Sequence, residues 1–125
     1  MNERKKYDVC IIGGGLGGLA LSIQLSRLGY AVALMEKEKY PFHKVCGEYI
    51  SLESWNFIEE LGYPLSGSQL PLIKTLIVSA PDGSQLQQAL PLGGFGISRF
   101  KLDNELKAIA AANKVHVFEN CKVTD

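Results

Sequence analysis

Five of the six residues from Gly13 to Gly18 are glycine, and this cluster constrains the fold more than any other feature of the sequence. Directly before it, the mainly apolar segment Tyr7 to Ile12 predicts a short strand in a parallel sheet that is covered on both faces. Leu16 to Leu28 predicts a helix that ends at Gly29, and Ala31 to Met35 predicts a second strand. These three elements form a βαβ unit, whose strands are parallel and whose crossover is right-handed. The predicted buried face of the helix consists of Leu21, Leu25 and Leu28.

The rest of the chain predicts further elements around a β-hairpin insertion. Lys74 to Ser79 and Gln85 to Leu92 are the strands of this hairpin, and Gly93-Gly94 is expected to end the second strand. The predicted fold is therefore α/β: a Rossmann-like domain over residues 1–125 with a parallel sheet. Because the last residues read as the start of an element, we expect an incomplete N-terminal piece of a longer protein, without its substrate domain. The other predicted elements are a loop over Tyr40–Ser51, a helix through Leu61 with Ser51 or alternatively Ser54 as its N-cap, a helix over Leu102–Ala112, and strands over Val115–Phe118 and Cys121–Val123.

The composition argues against several functional classes. Thirteen Lys and Arg residues balance thirteen Asp and Glu residues, so we expect neither general nucleic-acid binding nor capture by an anionic membrane. The charged N-terminus and the apolar stretch after it resemble a signal peptide, but the glycine cluster would disrupt an apolar helix, so no signal peptide or transmembrane segment is predicted. Three cysteines without a CxxC pair predict free thiols in a reducing cytoplasm. Neither histidine has partners at metal-ligand spacing, so no metal site is predicted.

The glycine cluster contains the pattern Gly-x-Gly-x-x-Gly at Gly13, Gly15 and Gly18, between a strand and a helix as dinucleotide binding requires. Gly13 permits the tight turn, Gly15 lets the backbone approach a pyrophosphate, and Gly18 lets the helix pack closely on the strand. N–H groups at the start of the helix then bind the phosphates. Glu36 directly follows the second strand, 21 residues after Gly15, and is predicted to accept hydrogen bonds from the ribose hydroxyls. The alternative is that Glu36 only begins a solvated charge run.

Three segments, in the right order along the chain, resemble those of FAD-dependent oxidoreductases of the aromatic-hydroxylase superfamily. Residues 7–20, together with Glu36-Lys37, resemble its N-terminal glycine motif. Residues 44–51, which contain Cys46-Gly47, resemble a segment of the geranylgeranyl reductase-like branch. Residues 98–106 resemble the Arg-x-x-Leu-Asp-x-x-Leu segment of the wider superfamily.

The resemblance implies FAD as the cofactor and gives the matching positions contacts with it. Besides the motif glycines Gly13, Gly15 and Gly18, the implied cofactor-binding residues are Gly17 at the pyrophosphate, Glu36 at the adenosine ribose with Lys37 beside it, Cys46 and Gly47 near the flavin, Arg99 at the phosphate–ribityl stretch, and Val123 next to the adenine. Without the resemblance, each of three residues has an alternative that involves no cofactor. Cys46 could be a small buried apolar residue, Arg99 could lie on the surface, and Asp103 could have a purely structural role.

The implied function is FAD binding as part of a flavin-dependent oxidoreductase, similar to the geranylgeranyl reductase-like reductases. The flavin would exchange hydride with a small-molecule or lipid-like substrate, and NAD(P)H is a candidate electron donor. A flavin-dependent monooxygenase or halogenase of the same superfamily is one alternative, and a non-catalytic NAD-binding module is another. No catalytic residue is identified. Because the later Gly-Asp motif of this superfamily is not among these residues, we expect the chain alone to lack activity and to self-associate through exposed apolar surface.

Overall fold

The computed structural model describes residues 5–124, which form two three-stranded sheets and three α-helices. In chain order the elements are β1 (Val9–Ile12), α1 (Leu16–Arg27), β2 (Val32–Met35), β3 (Tyr49–Ser51), α2 (Trp55–Leu61), β4 (Leu72–Ser79), β5 (Gln85–Gly96), α3 (Arg99–Ala112) and β6 (His116–Phe118). One sheet is parallel with the order β1-β2-β6, and the other is antiparallel with the order β3-β5-β4. The predicted α/β fold, with its parallel sheet and its hairpin, is confirmed.

The βαβ unit forms as predicted, with β1 and β2 paired in parallel so that Val9 lies opposite Val32. Its helix α1 ends at Gly29, which has a φ of 93°. The N–H groups of Gly29 and Tyr30 donate to the carbonyls of Ser26 and Leu25, at N···O distances of 3.0 and 3.2 Å. This left-handed ending satisfies carbonyl groups that the helix leaves without partners, which is why a glycine ends it.

The buried face of α1 differs from the predicted one. Leu19 and Ile23 are fully buried, and Ser22 is buried between them with its hydroxyl donating to the carbonyl of Leu19. Of the predicted residues, Leu25 is partly buried against the core, whereas Leu21 and Leu28 are 45% and 75% exposed. The prediction was wrong for these two because α1 packs mainly against α3 and β2, and residues 19, 22 and 23, spaced three and four apart, share the face that becomes buried.

The antiparallel sheet corrects the expectation that the glycine pair ends a strand. β5 continues through Gly93-Gly94, where Gly93 has a φ of 78° beside an irregularity in the pairing with β4. A Cβ on Gly94 would overlap the ring of Tyr49, so this glycine admits the short strand β3 next to β5. The sequence predicts a loop for the residues of β3, and the structure corrects this as well. Gly93 therefore bends the strand, and Gly94 makes room for its neighbour.

Four smaller expectations are also corrected. Leu52–Ser54 forms a 3₁₀ turn after Ser51, so α2 begins only at Trp55, with the alternative Ser54 as its N-cap. α3 begins at Arg99, three residues earlier than predicted. Residues 121–123 form no strand, although the N–H of Cys121 donates to the carbonyl of Glu36 at 2.8 Å. β1 is not covered on both faces, because Ile12 is 70% exposed.

Candidate functional site

The glycine loop between β1 and α1 is attached to the end of β2 by two hydrogen bonds. The N–H of Gly13 donates to the carbonyl of Met35 at 2.8 Å, and the N–H of Gly14 donates to Oε2 of Glu36 at 2.7 Å. Gly13 has a φ of 101°, which other residues rarely adopt, so a glycine is needed at this reversal. The loop lies at the carboxyl edge of the parallel sheet, where open α/β sheets bind their ligands.

The remaining glycines of the cluster have different surroundings. A Cβ on Gly18 would overlap the carbonyl oxygen of Gly13, so this glycine lets α1 pack against the loop. A Cβ on Gly17 would meet nothing within 4 Å. A Cβ on Gly15 would meet only Nζ of Lys44, at 3.1 Å. Gly15 therefore leaves an open cradle at the start of α1, with a cationic side chain beside it.

The N-terminus of α1 is open toward a ligand. Gly15 is its N-cap residue, no side chain makes a capping hydrogen bond there, and the described first turn contains no acidic residue. The first N–H groups of a helix have no partner within the helix and carry partial positive charge. Phosphate oxygens would satisfy these donors, so the residues at the cradle fit the diphosphate of a dinucleotide.

A cleft of about 370 Å³ lies beside the glycine loop. The predicted site residues on its walls are Gly13, Gly15, Glu36, Lys37 and Val123. Two lysines that the sequence prediction left out of the site also line it, Lys44 and Lys122. The sequence could have indicated both lysines, because each lies next to predicted site residues. Lys44 begins the segment that contains Cys46-Gly47, and Lys122 directly precedes Val123. The cleft thus has apolar walls and three cationic side chains around an uncapped helix end.

Glu36 lies at the base of the cleft and is only 5% exposed. Its Oε2 accepts from Gly14, and its Oε1 accepts from the backbone N–H of Glu38 at 3.0 Å. A carboxylate oxygen offers two lone pairs, so each oxygen keeps one acceptor site for a ligand. The alternative of a solvated charge run is wrong for Glu36, whereas residues 37–39 are exposed.

The other predicted positions lie outside the walls of this cleft. Gly17 lines a separate apolar groove between α1 and α2. Cys46 is exposed, so the alternative of a buried apolar role is wrong. Its Sγ accepts from the N–H of Glu48 at 3.4 Å and from Nη1 of Arg99 at 3.9 Å. Gly47 follows Cys46 in the same exposed segment.

Arg99 forms an ion pair with Asp103 one turn along α3. Its Nε and Nη2 donate to the two carboxylate oxygens at 2.8 and 3.0 Å, and Asp103 is 3% exposed. These hydrogen bonds raise the pKa of the Arg99 guanidinium. The pair satisfies a buried carboxylate, and Nη1 of Arg99 remains directed toward Cys46. Asp103 therefore has the structural role given as its alternative.

The structure also bears on two other features, a metal site and a membrane-spanning helix. Among residues 5–124, no group of three or more His, Cys, Asp or Glu side chains is arranged to hold a metal ion. Over the same described residues, the helices are too short or too polar to cross a membrane.

Comparison with known proteins connects this geometry with a family. Residues 7–125 match the family model described as pyridine nucleotide-disulphide oxidoreductase. A digeranylgeranylglycerophospholipid reductase of Sulfolobus acidocaldarius is 31% identical over 98 residues, which cover 68% of this chain and 21% of that protein. The chain spans only 9 to 21% of the length of the four curated relatives compared.

Solved structures show the same fold. CmlS, a flavin-dependent halogenase, superposes with a TM-score of 0.77 at 22% identity, over 98% of this chain and 24% of that one. A geranylgeranyl bacteriochlorophyll reductase-like protein of Thermoplasma acidophilum gives a TM-score of 0.70 at 24% identity, over 91% of this chain and 30% of that one.

The matches confirm the resemblance to FAD-dependent oxidoreductases and include proteins of both the reductase-like and the halogenase types. The family match covers the βαβ unit, the glycine loop and the cleft together. The chain is therefore a Rossmann-like FAD-binding domain and belongs to the pyridine nucleotide-disulphide oxidoreductase family.

Proposed function

We propose that the cleft binds the ADP half of FAD, with the diphosphate at the start of α1. The observation that carries this proposal is the open cradle at Gly15, where the helix end is uncapped and Nζ of Lys44 lies 3.1 Å from the position of a Cβ. Lys122 on the cleft wall adds a second positive charge. Hydrogen bonds between ionised partners are roughly twice as strong as neutral ones, which favours a diphosphate at this place. In this arrangement Gly13 and Gly17 contribute backbone at the phosphates.

The adenosine would lie at the other end of the cleft. The remaining acceptor sites of Glu36 would receive the ribose hydroxyl hydrogens, with Lys37 next to them on the cleft wall. Val123 is 44% exposed and Ile12 is 70% exposed, so both offer apolar surface to an adenine ring. Gly18 would act indirectly, because it allows the helix and the loop to meet.

The flavin half would extend toward Cys46, Gly47 and Arg99. The support is that Cys46, which is exposed on the segment after Lys44, lies next to Arg99 at the start of α3. Flavin supplies the hydride chemistry when it is bound, and these residues would orient it. Arg99 would interact with the phosphate–ribityl stretch through Nη1, because its Nε and Nη2 bind the carboxylate of Asp103.

For the whole protein we propose a flavin-dependent reductase that acts on a small-molecule or lipid-like substrate, with NAD(P)H as electron donor. The support is the 31% identity to a digeranylgeranylglycerophospholipid reductase. A flavin-dependent halogenase or monooxygenase is the second candidate, supported by the likeness of the fold to CmlS. Oxygen consumption with NAD(P)H, measured on a protein that also contains a substrate domain, separates the two.

The exposed apolar surface supports a proposal about partners. Leu76, Val78 and Leu86 lie on one face of the β4–β5 hairpin and are 47 to 64% exposed. We expect this face to favour self-association of the chain, which sedimentation velocity at increasing concentration would detect as a rising average mass. A constant monomer mass would contradict it.

The balanced charge supports the absence of nucleic-acid binding, and the free thiols Cys10, Cys46 and Cys121 support a cytoplasmic location.

The purified chain is expected to bind ADP and FAD with similar, weak affinity. The cleft provides contacts for the ADP half. Burial of apolar surface stabilises a complex by about 25 cal/mol per Å², and the flavin would bury little such surface here, so it would add little affinity. Calorimetric titration with FAD, ADP and NAD measures this. FAD binding that is far tighter than ADP binding would contradict it, because the flavin site would then be built within these residues. Absence of ADP binding would reject the proposed cleft.

Glu36→Gln is expected to weaken ADP binding about tenfold, because the amide replaces one acceptor oxygen by a donor. The specific readout is the affinity ratio of ADP to 2′-deoxy-ADP, which should be well above one for the wild type and near one for the variant. Glu38→Gln is the matched control, since it changes the same charge two residues away and outside the cleft walls. An unchanged ratio in Glu36→Gln would reject the ribose role.

A further inference from the structure

Tyr40 contacts the glycine loop from within the buried core. Its side chain is buried, at 6% exposure, and its hydroxyl donates to the carbonyl oxygen of Gly14. The same glycine donates its N–H to Glu36, so both polar groups of residue 14 are bound by side chains. Tyr40 is not among the residues that line the cleft. It therefore acts on the loop and not on a ligand in the cleft.

Tyr40 is itself held in place by α3 and by the segment after β6. Its backbone N–H donates to Oε1 of Glu119 at 2.9 Å, and the other carboxylate oxygen of Glu119 lies 3.3 Å from Nζ of Lys107. Its ring packs against Phe42, with 5.1 Å between the ring centroids. Burial and the neighbouring Glu36 raise the pKa of Tyr40, so its hydroxyl remains protonated and remains a donor at physiological pH. The position of the hydroxyl is thus set by contacts within the protein and needs no bound ligand.

The orientation of one peptide group follows from this hydrogen bond. A peptide unit is planar and trans, so the carbonyl of Gly14 and the N–H of Gly15 point in opposite directions. With the carbonyl turned inward to Tyr40, the N–H of Gly15 is turned outward, at the residue that forms the open cradle. A peptide flip would remove this donor from the cradle and leave a carbonyl oxygen there, which would repel a phosphate.

We propose that Tyr40 is a positioning residue that orients the Gly15 N–H toward the diphosphate of the bound nucleotide. The inference rests on the proposed ADP site and adds to it a residue that determines affinity for the diphosphate without touching it. It implies that loss of the hydroxyl weakens binding of ligands with a diphosphate and leaves binding of the nucleoside alone unchanged.

The test compares Tyr40→Phe with Tyr63→Phe, which removes a hydroxyl from another buried tyrosine outside the cleft. Calorimetry with ADP and with adenosine is expected to show about tenfold weaker ADP binding in Tyr40→Phe and unchanged adenosine binding. Tyr63→Phe should leave both affinities unchanged. Equal weakening of ADP and adenosine, or no weakening of either, would overturn the proposal.

A second measurement needs no nucleotide. Amide hydrogen exchange of Gly14 is expected to become about tenfold faster in Tyr40→Phe and to stay unchanged in Tyr63→Phe, because the loop keeps its hydrogen bonds to Met35 and Glu36 but loses the one to Tyr40. Unchanged Gly14 exchange in Tyr40→Phe would contradict the proposal that Tyr40 holds the loop, even if the wild type binds ADP. Absence of ADP binding by the wild type, with Gly14 exchange accelerated in the variant, would instead reject the proposed ADP site.

Discussion

Gly18→Ala is expected to lower the free energy of unfolding by about 3 kcal/mol, which is a large fraction of the total stability of a domain of this size. The added Cβ would overlap the carbonyl oxygen of Gly13, lie 3.2 Å from its carbonyl carbon and lie 3.4 Å from Cγ2 of Ile11. Two of these atoms are backbone atoms in a loop that is hydrogen bonded to β2, so they cannot move aside as a flexible side chain would. α1 would have to shift away from β1, which disturbs the packing of the fully buried Leu19 and Ile23.

Gly17→Ala is the matched control for that prediction. It places the same methyl group on the adjacent residue of the same helix turn, where a Cβ meets nothing within 4 Å. Alanine is favoured over glycine in helices by up to about 1 kcal/mol, so this variant should be slightly more stable than the wild type. Urea unfolding followed by circular dichroism gives both free energies. Similar stabilities of the two variants would show that the contact between α1 and the loop is not what requires a glycine at position 18.

Gly15→Val is expected to reduce ADP affinity at least about a hundredfold, or about 2.7 kcal/mol, while the fold is retained. Gly15 has a φ of −75°, which any residue can adopt, and a Cβ there meets only the flexible end of Lys44. The valine side chain would instead fill the cradle at the start of α1, where the phosphates are proposed to bind. The loss of affinity would therefore come from occupied space and not from unfolding.

Two measurements distinguish a loss of affinity caused by occupied space from one caused by unfolding. Calorimetry gives the ADP affinity of Gly15→Val, and the thermal unfolding midpoint without ligand gives its stability. Gly67→Val is the control, because Gly67 also has open space around it and lies away from the cleft. Wild-type ADP affinity in Gly15→Val would mean that phosphates do not approach this residue. A loss of the folding transition in that variant would show that Gly15 is needed for the fold itself.

Local sequence patterns were sufficient to predict the βαβ unit and the glycine loop beside Glu36. Five glycines at the junction of an apolar strand and an apolar helix allow few folds, because they suit a tight turn near phosphates and a close approach of the helix. The spacing from Gly15 to Glu36 then brought both residues to one edge of a parallel sheet, and the structure has them on the walls of one cleft. These features depend on short-range geometry, which local sequence encodes.

Tertiary packing decided the features that local patterns left open or predicted wrongly. The apolar residues of α1 allow more than one buried face, and packing against α3 and β2 selected Leu19 and Ile23. Gly93-Gly94 reads as a strand break, yet pairing with two neighbouring strands keeps β5 continuous.

The cationic wall of the cleft is also a tertiary feature. Lys44 and Lys122 come from segments far apart in sequence, and only the fold brings them to the glycine loop. The clamp of Gly14 between Glu36 and Tyr40 arises in the same way, since it requires the chain after β2 to turn back beneath the loop. Contacts between distant segments depend on how the whole core packs, and a linear pattern of residue types does not contain that information.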